Sequence, residues 1–283
     1  MAYYRIRILE LGYDPKFPAG VAFDFWHMGD RQIYSSFSMV LLEGEGHCIL
    51  FDCGFDMEAK FDIEKIAMEG DQNCHDPAEV LCSIGVEPEK VDSIVLSHCH
   101  WDHMSGLRYF PNATIYVQRA EVGNWKRVMA DEHFPLTHKS VVDMEALKFL
   151  DACDAKGRVT YLSGDVDELF PGISVRAASG HSFAQSMLFI DNDGTHFALI
   201  GDVSMRPESF TGTRDFPCFL PNLKFAVGTV EDITESYEKI LAWVGGKVSR
   251  IFMTHNGSLA DVWPTYRSDL GLNVTTVSEA EAN

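Results

Sequence analysis

The stretch Ser97-His98-Cys99-His100-Trp101-Asp102-His103 places three imidazoles and a carboxylate within six positions. In extended chain alternate side chains share a face, so His98 and His100 can point at one cation while Cys99 turns away. If the chain enters a helical turn near His103, Asp102 and His103 swing to another side and can reach a second cation. Four groups cannot complete two coordination spheres, so further ligands must come from elsewhere. Three candidates stand just after apolar runs: His181 in Ser179-Gly180-His181-Ser182, Asp202 in Gly201-Asp202, and His255 in Thr254-His255-Asn256. Together the seven residues suit a site for two divalent ions, zinc first, with iron or manganese compatible with the same imidazole and carboxylate donors. No Gly-x-Ser-x-Gly elbow competes, because Gly180-His181-Ser182-Phe183-Ala184 fails at its last position.

The elements that must position these groups are readable from pattern. Tyr4 to Glu10 alternates, Ser36 to Leu42 follows, and Cys48 to Asp52 is a short apolar run after the Gly44 to Gly46 turn, which together predict an antiparallel meander. Asp76 followed by Pro77 predicts a helix start, and Gly85 closes it. Strands are expected over 92–97, 114–117, 159–162, 173–177, 187–190, 197–200 and 250–253, the sixth joined to the fifth by a tight Asn192-Asp193-Gly194 turn. Helices are expected over 119–130, around 141–152 and over 230–244. Every candidate ligand then follows a strand end, where open sheets place their chemistry. The interval at about 119–157 reads as a helical lid over the site.

No repeat or linker divides the 283 residues, so one domain over 1–283 is expected, and 46% apolar content can fill its core. A formal charge of −19 disfavours nucleic acid and anionic membrane surfaces as partners. The longest apolar runs fall short of the roughly 20 residues needed to cross a bilayer, and no secretion signal opens the chain, so a cytoplasmic location is expected. The seven cysteines, Cys48, Cys53, Cys74, Cys82, Cys99, Cys153 and Cys218, lack zinc-ribbon or redox-pair spacing and read as reduced thiols. His133 and His138 are five residues apart, which suits neither a helical nor a strand face. His27, His47, His75 and His196 have no ligand context.

In order, Phe51-Asp52-Cys53-Gly54, His98 to His103, Gly180-His181, Gly201-Asp202 and Thr254-His255 resemble the motifs of the metallo-β-lactamase superfamily, from about residue 36 to residue 260. The resemblance implies an α/β (α+β) fold, an αββα sandwich of two mixed sheets with helices outside and metals at one sheet edge. It implies that His98, His100 and His181 hold one metal, that Asp102, His103 and His255 hold the other, and that Asp202 bridges them. It places Asp52 behind the ligands as a support. An aspartate at 202 argues against the true β-lactamases, which carry cysteine there, and His100 stands where the flavodiiron oxygen reductases need glutamate. The long interval between His103 and His181 looks more like the N-acyl-homoserine-lactone lactonase and methyl-parathion-hydrolase-like branch than glyoxalase II.

That resemblance implies a hydrolase in which a dinuclear-metal-activated hydroxide opens a lactone or cleaves an ester of a small, partly apolar or aromatic molecule, with Asp102 or Asp202 relaying the proton. The two dications outweigh both carboxylates and the hydroxide, leaving a positive spot in an acidic protein. The homoserine-lactone lactonases carry tyrosine three residues after the bridging aspartate; here Met205 stands there, and Asn256 replaces the aspartate common after the last histidine, which argues against homoserine lactones as substrate. An iron-dependent oxidoreductase resembling persulfide dioxygenases and a phosphotriester hydrolase are the alternatives on the same ligands. The aromatic segment Phe23 to His27 and the loop Phe210 to Phe225, with Phe216 and Phe219, are candidate pocket walls. The expected partner is a small molecule, and the sequence is compatible with a homo-oligomer.

Overall fold

A computed structural model describes residues 2–23, 28–212 and 227–277. The segments Asp24 to His27, Phe216, Cys218, Phe219 and Phe225 named above lie outside the described residues.

The chain opens with the long strand β1 (Tyr4–Pro18), the single turn α1 (Ala19–Ala22), then β2 (Gln32–Gly44) and β3 (His47–Phe51). These form the expected meander, although β1 runs eight residues past Glu10 by way of irregularities near Gly12 and between Asp14 and Phe17. Helices α2 (Lys60–Glu69) and α3 (Pro77–Ser83) follow, the latter capped by the Asp76 side chain on the Glu79 N–H. Then come β4 (Ser93–Val95), α4 (Trp101–Met104), β5 (Thr114–Gln118), α5 (Arg119–Ala130), α6 (Leu136–Lys139), α7 (Met144–Asp154) and β6 (Val159–Leu162). The remainder is β7 (Val166–Phe170), β8 (Ile173–Ala178), β9 (Gln185–Asn192), β10 (Thr195–Leu199), α8 (Glu208–Thr211), α9 (Val230–Trp243), β11 (Ile251–Phe252), β12 (Thr265–Arg267) and β13 (Asn273–Val277).

Two mixed sheets result. The larger has the order β12-β13-β1-β2-β3-β4-β5-β6 and the smaller β11-β10-β9-β8-β7. Strand alternation fixes which side chains meet. On the large sheet Ile6, Ile8, Val40, Leu42, Ile49, Phe51 and Val95 face inward onto Ile173, Val175, Leu188, Ile190, Phe197 and Leu199 of the small one. The intervening Met39, Leu41, Leu50, Ile94 and Ile115 face outward, where α3, α5 and α7 cover them. Outward residues of the small sheet, Met187, Phe189, Ala198 and Ile251, pack on Ile233, Tyr237 and Ile240 of α9. This is the two-sheet sandwich with helices on both outer faces.

The 119–157 segment lies in this helical layer: Val122, Trp125 and Val128 of α5 and Ala146, Leu147 and Leu150 of α7 are buried in the outer core of the large sheet. From it, Val141 reaches the cavity described below. The hairpin between β9 and β10 turns through Asp193 and Gly194, both at positive φ, as a two-residue type I′ turn requires.

Candidate metal centre and its cavity

Strand ends build the centre. Asp52 follows β3, His98 and His100 lie in the loop after β4, His181 in the loop after β8, Asp202 after β10 and His255 after β11. The loop after β4 runs extended through His100 and then turns into α4, so Asp102 and His103 leave on a different side from His98 and His100. Hydrogen bonds clamp the edges of the two sheets: the Ser186 N–H donates to the Ser97 carbonyl at 2.7 Å, and the Ser36 hydroxyl donates to the Thr254 carbonyl at 3.4 Å.

All seven candidate residues converge there in three overlapping groups: His98, His100 and His181; His98, His103 and Asp202; Asp102, His103 and His255. All are buried. His181 Nε2 lies 3.1 Å from His100 Nδ1, close to the roughly 3.4 Å edge of a tetrahedron of nitrogens bound at about 2.0–2.1 Å. The Asp202 carboxylate reaches both halves: its Oδ2 is 3.5 Å from His181 Nε2, 3.5 Å from His103 Nε2 and 3.2 Å from His255 Nε2. Asp102 Oδ2 is 3.4 Å from His103 Nε2 and 3.3 Å from His255 Nε2.

The ring nitrogens turned away from the centre settle the tautomers. The Ser36 carbonyl can only accept, so His255 Nδ1–H donates to it at 2.9 Å. Asp52 accepts His103 Nδ1–H at 2.8 Å, and also the Ser97 N–H at 2.7 Å and the Ser97 hydroxyl at 2.8 Å. With its proton on Asp52, the Ser97 oxygen accepts from His98 Nδ1–H at 2.9 Å. His98 therefore presents a bare Nε2 lone pair inward, and His103 and His255 turn Nε2 toward the carboxylates of Asp102 and Asp202. For His98 and His103 that Nε2 is buried with no hydrogen-bond partner, as is Asp202 Oδ1. Buried acceptors left unpaired are costly unless something electron-deficient sits against them. Imidazoles and carboxylates are the donors that a borderline divalent ion takes, so the residues fit a metal group.

Electrostatics divide the cluster. Burial, with the neighbouring imidazoles, holds His98 and His100 well below the usual histidine range, and burial also lowers His181. These three are neutral imidazoles. Burial opposes charge on His103 as well, but Asp102, Asp202 and Asp52 outweigh it and hold its pKa well above the usual range. His255 behaves alike: against burial, Asp202 and Asp102 push it up to about 10. The carboxylates respond in kind, since His255 and His103 outweigh burial and keep Asp202 well below the ordinary carboxylate value.

Beside the cluster opens a cavity of about 320 Å³. Its apolar wall comes from Phe17, Val21, Phe37, Trp101, Val141 and Met205, and its polar wall from Asp14, Lys65, Glu69 and Asp71. Sequence reading missed most of this wall. Phe17 lies on the unanticipated half of β1, and Lys65 and Glu69 on α2, whose sequence lacks a clean apolar stripe. Phe23 is buried beside Ala19, Ala22 and Met28, and Phe210 under α9 against Tyr237 at 4.4 Å, so both serve packing. Two of the other described histidines pack against aromatic rings: His196 stacks on Trp243, and His47 stands edge-on to Phe170.

A two-sheet sandwich with imidazoles and carboxylates gathered at the strand ends defines a metal-binding hydrolase-type scaffold. The chain belongs to the metallo-beta-lactamase superfamily, whose sequence pattern matches residues 36–255. N-acyl homoserine lactonase AiiA of Bacillus thuringiensis subsp. kurstaki is 27% identical over 163 residues, 56% of each chain. The aligned stretch thus spans about half the length of that curated relative. Among solved structures, an N-acyl homoserine lactone hydrolase with N-hexanoyl-L-homoserine bound at its catalytic metal centre superposes with a TM-score of 0.64 at 21% identity, over 92% of this chain and 96% of that one. AidC, a dizinc quorum-quenching lactonase, gives 0.64 at 16% identity, over 100% and 99%. At these identities the structures establish the shared fold. Among the described residues, no helix is long and apolar enough to cross a membrane.

Proposed function

We propose that this chain is a dinuclear metal-dependent hydrolase that opens lactones or cleaves esters of small, partly apolar or aromatic molecules. The observation that carries the reading is the set of three overlapping ligand groups sharing His98 and His103, with Asp202 in contact distance of nitrogens on both sides. One ion would be held by His98, His100 and His181, the other by Asp102, His103 and His255, with Asp202 shared; zinc suits the donors, and a relative of the same fold is described as dizinc. When bound, such ions supply Lewis acidity and lower the pKa of water to near neutral.

The chain's own residues do the rest. Asp52, Ser97 and the Ser36 carbonyl lock three imidazoles with Nε2 inward, so no ring must rotate or shed an Nδ1 proton before chemistry. Asp102 and Asp202, kept ionised by His103 and His255, can accept a proton at Oδ2 and return it to a leaving alkoxide. Phe17, Val21, Phe37, Trp101 and Val141 favour an apolar or aromatic acyl portion and thin the water around the reacting carbonyl. Met205 lines the same cavity and has no O–H or N–H to offer a developing oxyanion, which separates this site from a tyrosine-bearing one.

The test is kcat/KM across acyl-homoserine lactones, aromatic lactones, aryl esters and phosphotriesters, before and after metal removal and restoration. Metal-dependent turnover of aromatic lactones or aryl esters is expected, with acyl-homoserine lactones poor substrates that improve in Met205→Tyr by roughly 10-fold or more, as a restored oxyanion donor would give. Hydrolysis that survives complete metal removal, or efficient acyl-homoserine lactone opening by the wild type, contradicts the corresponding half of the proposal.

A further inference from the structure

Glu121 lies in the first turn of α5, directly after β5, and its side chain is fully buried. Its hydrogen bonds converge from three places. Glu121 Oε1 accepts the Cys99 N–H at 3.1 Å, the Trp125 indole N–H at 2.8 Å and the Ser182 hydroxyl at 2.5 Å, while Oε2 accepts the Ala184 N–H at 2.8 Å. All four donors are uncharged. Cys99 stands between His98 and His100, and Ser182 follows His181. One carboxylate therefore spans the only two loops that carry the nitrogens of the first ion's proposed ligands. Trp125, one helical turn along and held by the same oxygen, sets its ring against His100, with centroids 5.4 Å apart at 68°.

A buried carboxylate without a cationic partner is costly, and four hydrogen bonds only partly offset its desolvation. Only an acceptor-only group satisfies all four donors at once, since glutamine would turn its NH2 toward at least one N–H, and an apolar group would leave every donor unpaired. What a carboxylate adds is negative charge and fixed geometry directly behind a cluster of three neutral imidazoles, where a dication would complete the charge balance. We infer that Glu121 is the positioning residue of the first metal site: it fixes the spacing between the His98–His100 loop and the His181 loop and supplies the counter-charge that makes that site selective for a dication. The inference rests on the two-metal reading above.

The experiment is stepwise zinc binding to metal-free protein by chelator competition, in wild type and in Glu121→Gln, each shown to be folded by circular dichroism. Expected is one binding step 10–100-fold weaker in Glu121→Gln and the other within about threefold of wild type, the range seen when groups behind metal ligands are changed. A merely structural glutamate would lower the melting temperature and leave both folded-state affinities unchanged, or weaken both steps alike; either result overturns the inference. If Glu121→Gln does not fold, Ser182→Ala removes one strut on the His181 side and is expected to weaken the same single step by roughly threefold to tenfold; equal affinities there overturn it too. Failure of the wild type to bind two zinc ions would instead strike the proposed function itself.

Discussion

Asp202 and the two high-pKa histidines set the chemistry of individual residues. Because Asp202 Oδ2 lies within 3.2–3.5 Å of His255, His103 and His181 nitrogens, its loss would, on the proposed two-ion reading, strip both ions of a ligand at once. Asp202→Ala is expected to fall at least about 10-fold further in kcat/KM than Asp102→Asn or His181→Ala, each of which would touch one ion. Equal losses, measured on the best substrate of the panel, would remove the shared ligand from the account. His255 adds a pH dependence. In the metal-free protein its pKa is raised from an ordinary 6.5 to about 10. Its ion pairs with Asp102 and Asp202 thus contribute stability in full below about 6.5, and that contribution is lost as pH rises through about 10. A metal entering this half must displace the proton, so its affinity should rise about tenfold per pH unit from 7 to 9 for each proton released. The His98, His100 and His181 half, with lowered pKa values, should stay flat over the same range. Chelator competition at pH 7, 8 and 9 distinguishes the two steps; two flat profiles would show that the His255 proton is not displaced.

At the scale of elements, the site depends on how tightly the His181 loop sits on α9. Gly180 adopts φ +127°, and a Cβ there would lie 2.4 Å from Ile233 Cγ1 on that helix. The Gly180 carbonyl also accepts the N–H groups of Val227 and Gly228, which lead into the Thr229–Asp232 capping box of α9. Gly180→Ala should therefore cost about 1–3 kcal/mol of stability and weaken metal binding through His181; denaturant unfolding of the metal-free protein and zinc titration check each part. Wild-type stability in that variant would mean that the loop can move off the helix. The same scale shows what a sequence makes legible. The six-residue His98 to His103 motif is local, so alternation followed by a helical turn could be read directly. His181, Asp202 and His255 were visible because each follows an apolar run that the fold uses as a strand. By contrast, α2 buries only Asp62 and Ile66, β7 and β12 are short, largely uncovered edge strands with one partner each, and β13 forms against β1 at the far end of the sequence. Glu121 gave no signal because its four partners lie at 99, 125, 182 and 184, and nothing local to α5 reveals that they meet.

Across the whole molecule, charge and shape work in opposite senses. The chain carries −19, yet the centre is built to hold cations and the cavity wall next to it is largely apolar. Polyanions would be repelled from the surface, and a compact neutral ester or lactone would meet its most favourable surroundings inside. The sandwich makes this arrangement rigid: β3, β4, β8, β10 and β11 all end at the site, and the central strands of both sheets are covered on both faces. Ligands carried on strand ends of two packed sheets can move apart only by separating the sheets. The most direct measurement on this account is therefore elemental analysis of protein purified without chelators and supplied with metal. Two transition-metal ions per chain are predicted, because seven converging ligands from separate strand-end loops exceed what one tetrahedral ion needs. A reproducible single ion in metal-replete protein, or none, would contradict it.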